Sequence, residues 1–206
     1  MKKSQSSKQW LRRHVNDPYV QRSKREGYRS RAAYKLTEID ERDKLLRAGQ
    51  VIVDLGAAPG GWTQVCAKRV GADGVVIGID LLPVEPIPNA TLLQADFASR
   101  KGVEALQELL AGRKADVVLS DMSPNLSGIA VSDQARSMGL AEIALEFALA
   151  HLQPEGAFLV KVFQGAGYDE FFRALRLGFT KVVVRKPDAS RDESAEQYVL
   201  ARGLRQ

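Results

Sequence analysis

Short, almost wholly apolar runs that close on an acidic residue recur through the first two-thirds of this chain. VIVDLG (51–56) carries Asp54 near its end, VVIGID (75–80) ends on Asp80, TLLQAD (91–96) on Asp96 and ADVVLSD (115–121) on Asp121. Runs of this length that are apolar on both alternating faces read as strands buried on both sides, and the amphipathic stretches between them read as helices. GWTQVCAKRV (61–70), GVEALQELLAG (102–112) and VSDQARSMGLAEIALEFALAHL (131–152) are those stretches. GAFLVKVF (156–163), the helical YDEFFRALRLG (168–178), FTKVVVR (179–185) and EQYVLARG (196–203) complete the series. Strands alternating with helices predict an α/β fold, a mostly parallel sheet with helices on both faces. Ahead of the first strand, Ser30 is the expected cap of a helix reaching about Arg47, with Gly49 as its stop. The proline-rich stretch 83–88 and the polar stretch 186–195 read as loops.

Composition narrows the class. The chain has 206 residues, 45% of them hydrophobic, which suits one core rather than two full-size domains. No apolar run approaches the about 18 residues of a membrane span, and the N-terminus MKKSQSSKQWLRRH lacks the apolar stretch of a secretory signal. One cysteine, Cys66, excludes a disulfide framework, and with His14 and His151 as the only histidines no metal site is expected. A cytoplasmic protein is the expectation, with no membrane and no obligate protein partner.

Charge is concentrated at one end. Residues 1–35 hold eleven Lys and Arg against Asp17 and Glu26, whereas the rest of the chain is net acidic, within an overall formal charge of +5. Such a segment suits a polyanion, because Lys and Arg displace the counterions condensed on a phosphate backbone. Trp10, Tyr19, Tyr28 and Tyr34 interleave with these charges, as stacking residues for unpaired bases do. The division expected is a basic, partly flexible RNA-binding arm over 1–28 and a single domain over 29–206. A merely solubilising tail is the simpler alternative.

In an open α/β sheet the ligand lies beyond the carboxyl ends of the strands, where the strand order reverses. There the first strand runs into Gly56-Ala57-Ala58-Pro59-Gly60-Gly61-Trp62. The spacing matches neither the G-x-G-x-x-G of a dinucleotide site nor a Walker loop, which disfavours a nicotinamide-dependent dehydrogenase. A nucleoside without a phosphate bridge fits better. Asp80 is placed to accept both ribose hydroxyls, and Asp96 to take an adenine amino group. Aspartates also close strands as turn formers or helix caps, but four behind one glycine loop favour a site.

SRAAYKL (30–36), DLGAAPGGW (54–62), GID (78–80), DMSPN (121–125), LVKVFQG (159–165) and SAEQYVLARG (194–203) together resemble the FtsJ/RrmJ family of ribosomal RNA ribose 2′-O-methyltransferases along essentially the whole chain. The resemblance implies a Rossmann-like methyltransferase fold with a mostly parallel seven-stranded sheet and a reversed last strand. It also implies S-adenosylmethionine as methyl donor, no metal, and a uridine of large-subunit ribosomal RNA on ribosomal particles as acceptor. The family's Lys-Asp-Lys-Glu tetrad falls on Lys35, Asp121, Lys161 and Glu196, and its donor site on Gly60, Trp62, Asp80, Asp96 and Asp121.

Of the tetrad, Lys161 alone is conspicuous without the resemblance, as a cation in the apolar run FLVKVF. Burial and a second lysine lower its proton affinity, while Asp121 and Glu196 raise it. Proton acceptor, the role the family implies, and orientation of the hydroxyl both stay open. Trp62 is also an ordinary helix-packing residue. Asn125 stands where enzymes that methylate base amines place a stacking aromatic, which disfavours base methylation. A non-catalytic RNA-binding assembly factor, or a 2′-O-methyltransferase for another RNA, are the alternatives.

Overall fold

The computed structural model of the chain describes residues 17–125, 127–191 and 194–205. Its elements are α1 (Pro18–Glu26), α2 (Ala32–Asp43), β1 (Val51–Leu55), α3 (Gly61–Val70), β2 (Val75–Asp80), β3 (Thr91–Gln94), α4 (Arg100–Leu110), β4 (Ala115–Ser120), α5 (Ala130–His151), β5 (Leu152–Phe163), α6 (Tyr168–Gly178), β6 (Phe179–Arg185) and β7 (Glu196–Leu204). They form one seven-stranded sheet in the order β3-β2-β1-β4-β5-β7-β6. The β1–β2, β1–β4, β2–β3 and β4–β5 pairings are parallel. β7 inserts antiparallel between β5 and β6 and is the reversed strand.

Alternation along the strands divides the core. Ile52, Val117, Leu159 and Leu200 face α2 and α3, packing with Leu36, Ile39, Trp62 and Val65. Val53, Val118, Phe158 and Val199 face the other way, toward Leu106 of α4, Phe147 of α5 and Phe171 of α6. With both faces covered, apolar side chains in both registers are needed, which is why these strands read as unbroken apolar runs. The order reverses between β1 and β4, so their carboxyl ends open the crevice expected for a ligand.

Several boundaries depart from expectation. Helix α2 stops at Asp43 rather than Arg47, because Lys44 turns left-handed (φ 51°) and its N–H bonds to Asp40 O. Ser30 does not cap α2; the capping position is Arg31, with no side-chain bond. β3 ends at Gln94, which leaves Asp96 in the loop beyond it. β5 begins at Leu152, pairing with Ala115 ahead of a register shift. Helix α1, polar on most of its surface, shows no apolar stripe, yet its signals are all present: Asp17 accepts from Tyr19 and Val20 N–H, Pro18 opens the first turn, and Gly27 closes the helix left-handed.

The end of α2 is clamped to the reversed edge of the sheet. Arg185 of β6 makes a bidentate pair with Asp43, with Nε–Oδ2 2.7 Å and Nη2–Oδ1 2.6 Å, and Arg202 of β7 donates to Asp43 O at 2.7 Å. The Arg185 hydrogen bonds hold the Asp43 carboxyl below its usual range against the opposing effect of burial. A carboxylate depressed in this way stabilises the fold fully above the unfolded value of about 3.9, and the contribution is lost as pH falls through the lower folded value. Asp43→Asn should therefore cost about 1–3 kcal/mol at pH 7. In denaturant titrations repeated at descending pH, the difference from wild type should narrow below about pH 4.

Candidate active site

The loop after β1 is held close to the strands beside it. Gly56 and Ala57 N–H both donate to Ile79 O, at 2.9 and 3.1 Å. Gly56 has φ +83°, and a Cβ there would lie 2.7 Å from Met122 Cγ and 3.1 Å from Met122 backbone, so a side chain is barred by conformation and by space. The Asp80 carboxylate is fixed by two backbone amides, Ala58 N–H to Oδ2 and Leu82 N–H to Oδ1, each at 2.8 Å. Asp96 Oδ1 accepts from Ala98 N–H at 2.9 Å. Asp80, Asp96 and Asp121 line one cleft of about 280 Å³ together with Gly56, Ala58, Phe97 and Met122. Larger hollows of about 430 and 630 Å³ lie elsewhere, beside Arg42 and Arg185 and beside Tyr28 and Lys68, away from the strand-end carboxylates.

Gly60 and Trp62 are not among the residues that line this cleft. A Cβ on Gly60 would lie 2.8 Å from Ile87 Cδ1 and 3.0 Å from Arg29 Nη1, and Arg29 also straps the 85–86 backbone through Glu85 O and Pro86 O. Trp62 is 3% exposed, donates Nε1–H to Ala32 O at 2.8 Å and packs on Tyr198, so here it joins α3 to α2.

Lys35, Asp121, Lys161 and Glu196 come together as two ion pairs, Asp121 from the position just after β4. Lys161 of β5 sits 3.1 Å from Asp121 Oδ1 and donates to Asp121 O at 2.7 Å. Lys35 of α2 sits 2.6 Å from Glu196 Oε1. Lys161 and Glu196 are each 8% exposed. Burial pushes the Glu196 carboxyl up, but the charge and hydrogen bond of Lys35, with Ser190 and Lys161, outweigh it and leave the group below its usual range. Buried ions require this pairing, because desolvating an unpaired one costs several kcal/mol.

A residue that the sequence reading passed over joins the pairs. Tyr198, fully buried, donates its hydroxyl to Asp121 Oδ1 at 2.9 Å, and Lys35 Nζ lies 5.6 Å from its ring centre. Tyr198 stands directly across from Lys161 in the β5–β7 ladder. One signal for it was available: Tyr198 follows Glu196 by two residues, and residues two apart in a strand share a face.

Part of the basic segment is committed internally. Arg31 pairs with Asp17 and donates to Ala189 O, and Arg22 pairs with Glu26 while lying over the Tyr34 ring. Tyr34, 3% exposed, packs against Tyr19 and Tyr28, so its ring is taken up in the fold, whereas Lys24 and Arg25 are exposed. Trp10 and the rest of 1–16 lie outside the described residues. Among the described residues no group of three or more His, Cys, Asp or Glu is placed to hold a metal ion, and no helix is long and apolar enough to cross a membrane.

The family described as FtsJ-like methyltransferase matches residues 28–204. Over the full length of both chains the sequence is 58% identical to the ribosomal RNA large subunit methyltransferase E of Azoarcus sp. (strain BH72), and 55% identical to that of Dechloromonas aromatica (strain RCB). A crystal structure of a Plasmodium falciparum protein assigned as a ribosomal RNA methyltransferase superposes with a TM-score of 0.76 at 29% identity, covering 86% of this chain and 98% of that one.

Beneath the loop, Asp54 is fully buried; its Oδ2 accepts the Thr63 hydroxyl at 2.6 Å, and its Oδ1 has no partner among the described residues. Burial first, with Asp121 and Asp80 adding to it against the Thr63 bond, pushes the carboxyl up to about 7. An acid raised from about 3.9 in the unfolded chain makes the fold less stable as pH rises between the two values, with no further loss above the higher one. The melting temperature of Asp54→Asn, relative to wild type, should therefore climb from pH 5 to about pH 7 and then level off. A flat difference would mean that Asp54 is ionised throughout.

Proposed function

The chain belongs to the FtsJ-like methyltransferase family, and from that premise we propose that it transfers a methyl group from S-adenosylmethionine to the ribose 2′-hydroxyl of a uridine in large-subunit ribosomal RNA. The observation that carries this reading is the joining of two lysine–carboxylate pairs at the carboxyl edge of β4 and β5, beside a cleft lined by strand-end carboxylates. The names of the full-length relatives support the substrate class.

The donor site fits the chemistry of its ligand. Each Asp80 oxygen accepts one amide and keeps lone pairs for ribose hydroxyls. Asp96 supplies an acceptor for an adenine amino group and Phe97 an apolar wall beside it. Gly56, having no side chain, lets the loop pack closely against Met122 at the floor of the cleft. When bound, S-adenosylmethionine supplies a methyl group already activated on a sulfonium, so the protein's task is to align the acceptor oxygen and take its proton. Gly60 and Trp62 support this site by holding the loop and the α2–α3 contact.

Lys161 is the proton acceptor in this reading. Asp121 O and Oδ1 engage two positions on its nitrogen and leave a third for the 2′-hydroxyl. Asp121 orients Lys161 and shares the cleft with the donor. Lys35 and Glu196 supply a second, neutral pair, in which Lys35 faces the anionic acceptor strand and Glu196 limits the added positive charge. The completed pairs favour catalysis over a purely architectural role in ribosome assembly. Residues 1–28, with exposed Lys24 and Arg25, are the RNA-binding arm of this reading, acting on ribosomal particles in the cytoplasm without an obligate protein partner.

The test uses labelled donor, large-subunit particles from cells lacking the enzyme, and nuclease mapping of the label. Wild type should label a uridine ribose. Lys161→Ala should lower turnover at least about 10²-fold with donor affinity preserved. Lys161→Arg should also fail, since a guanidinium accepts no proton at neutral pH; substantial turnover by it would remove the base role. Asp80→Ala should weaken donor binding by about 1–3 kcal/mol in calorimetry, and unchanged affinity in a folded variant would take Asp80 out of the site.

A further inference from the structure

We propose that Tyr198 is a positioning residue for methyl transfer, its buried hydroxyl fixing the Asp121 carboxylate and its ring seating Lys35, so that the two ion pairs act as one unit. The inference rests on the reading of Lys161 and Asp121 as the proton-handling pair.

The hydroxyl is costly where it stands. A phenylalanine would fill the same space between α2, α3 and the sheet without burying a polar group, and a buried hydroxyl is tolerated when it is satisfied. Here one partner satisfies it, Asp121 Oδ1 at 2.9 Å, the same oxygen that lies 3.1 Å from Lys161 Nζ. Burial, reinforced by Asp121 and Glu196, holds the phenol well above its ordinary range, so it remains a donor throughout the working pH range. With Tyr198 and Lys161 both on Oδ1, the carboxylate cannot rotate about its Cβ–Cγ bond without losing a hydrogen bond and an ion pair. The ring meanwhile contacts Trp62, whose N–H is tied to Ala32 three residues before Lys35, so one side chain references both lysines to the same strand.

The hydroxyl also divides the pull of Asp121. A carboxylate oxygen that accepts from Tyr198 attracts the Lys161 proton less than one with Lys161 as its sole partner. The charged and titratable groups facing Lys161 are Asp121 at the end of β4, Glu196 and Tyr198 on β7, and Lys35 on α2. Removing the phenol hydroxyl takes a donor from Asp121 and strengthens its hold on the lysine's proton. The rising limb of the pH–rate profile then moves to higher pH.

The experiment compares wild type, Tyr198→Phe, and a protein with p-aminophenylalanine incorporated at position 198, which restores a para donor on the same ring. Each is assayed with labelled donor on large-subunit particles from cells lacking the enzyme. Tyr198→Phe should lower kcat about tenfold or more near neutral pH, shift the rising limb of kcat upward in pH, and leave KM for the particles within about twofold. The p-amino variant should recover most of the lost kcat. Equal kcat and pH profile in Tyr198→Phe overturn the proposal, and so does a loss that the p-amino variant fails to recover, which would assign the effect to packing. A wild-type protein that places no label on ribose would instead sink the underlying functional reading, so the two failures are distinguishable.

Discussion

Lys161 and Glu196 are charged groups buried at the carboxyl edge of the sheet, tolerable there only in pairs with Asp121 and Lys35, and that requirement governs much of this structure. An ionised group taken from water without a partner costs more than most single core contacts return. Lys161 therefore needs Asp121 at the end of the neighbouring strand, and Glu196 needs Lys35 from a helix on the sheet's face. The four groups are formally neutral together. Such an arrangement can place a nitrogen beside a polyanionic acceptor without gathering net charge in the core.

The antiparallel insertion of β7 makes the pairing possible. Run between β5 and β6, it sets Tyr198 opposite Lys161 and Glu196 opposite Phe163. A strand in the parallel sense would begin at the other end of the sheet and deliver its first residues far from the carboxyl edge. The same reversal lets Arg202, together with Arg185 of β6, reach the end of α2 and clamp it through Asp43. Helix α2 is thus held at its far end by arginines and near its start by the Trp62–Ala32 bond, with Lys35 between them.

Legibility in the sequence followed the range of the interactions involved. The strands were readable because burial on both faces leaves an unbroken apolar run, and Asp80 and Asp121 because each closes such a run. Lys161 stood out as a cation inside one. Lys35 and Glu196 had no local distinction. Their meaning lies in a contact across more than a hundred and fifty residues, and resemblance alone singled them out. Tyr198 was hidden for a related reason, since an aromatic in a strand reads as packing until its hydroxyl's partner is known. Trp62 carried two readings, donor contact from the resemblance and helix packing from its residue type, and its contacts with Ala32 and Tyr198 are those of the second. Helix α1 went unread because tertiary contacts and caps sustain it, without an apolar stripe.

Alkaline hydrolysis of the labelled product bears most directly on the central claim, that this site methylates a ribose hydroxyl. Alkali cleaves RNA through attack of a free 2′-oxygen on the adjacent phosphate, and a methyl group on that oxygen blocks the cleavage. If ribosomal RNA is labelled by the wild-type protein and digested to completion in alkali, the label should be recovered in alkali-resistant dinucleotides. Label recovered in mononucleotides would place the methyl group on a base and contradict the account.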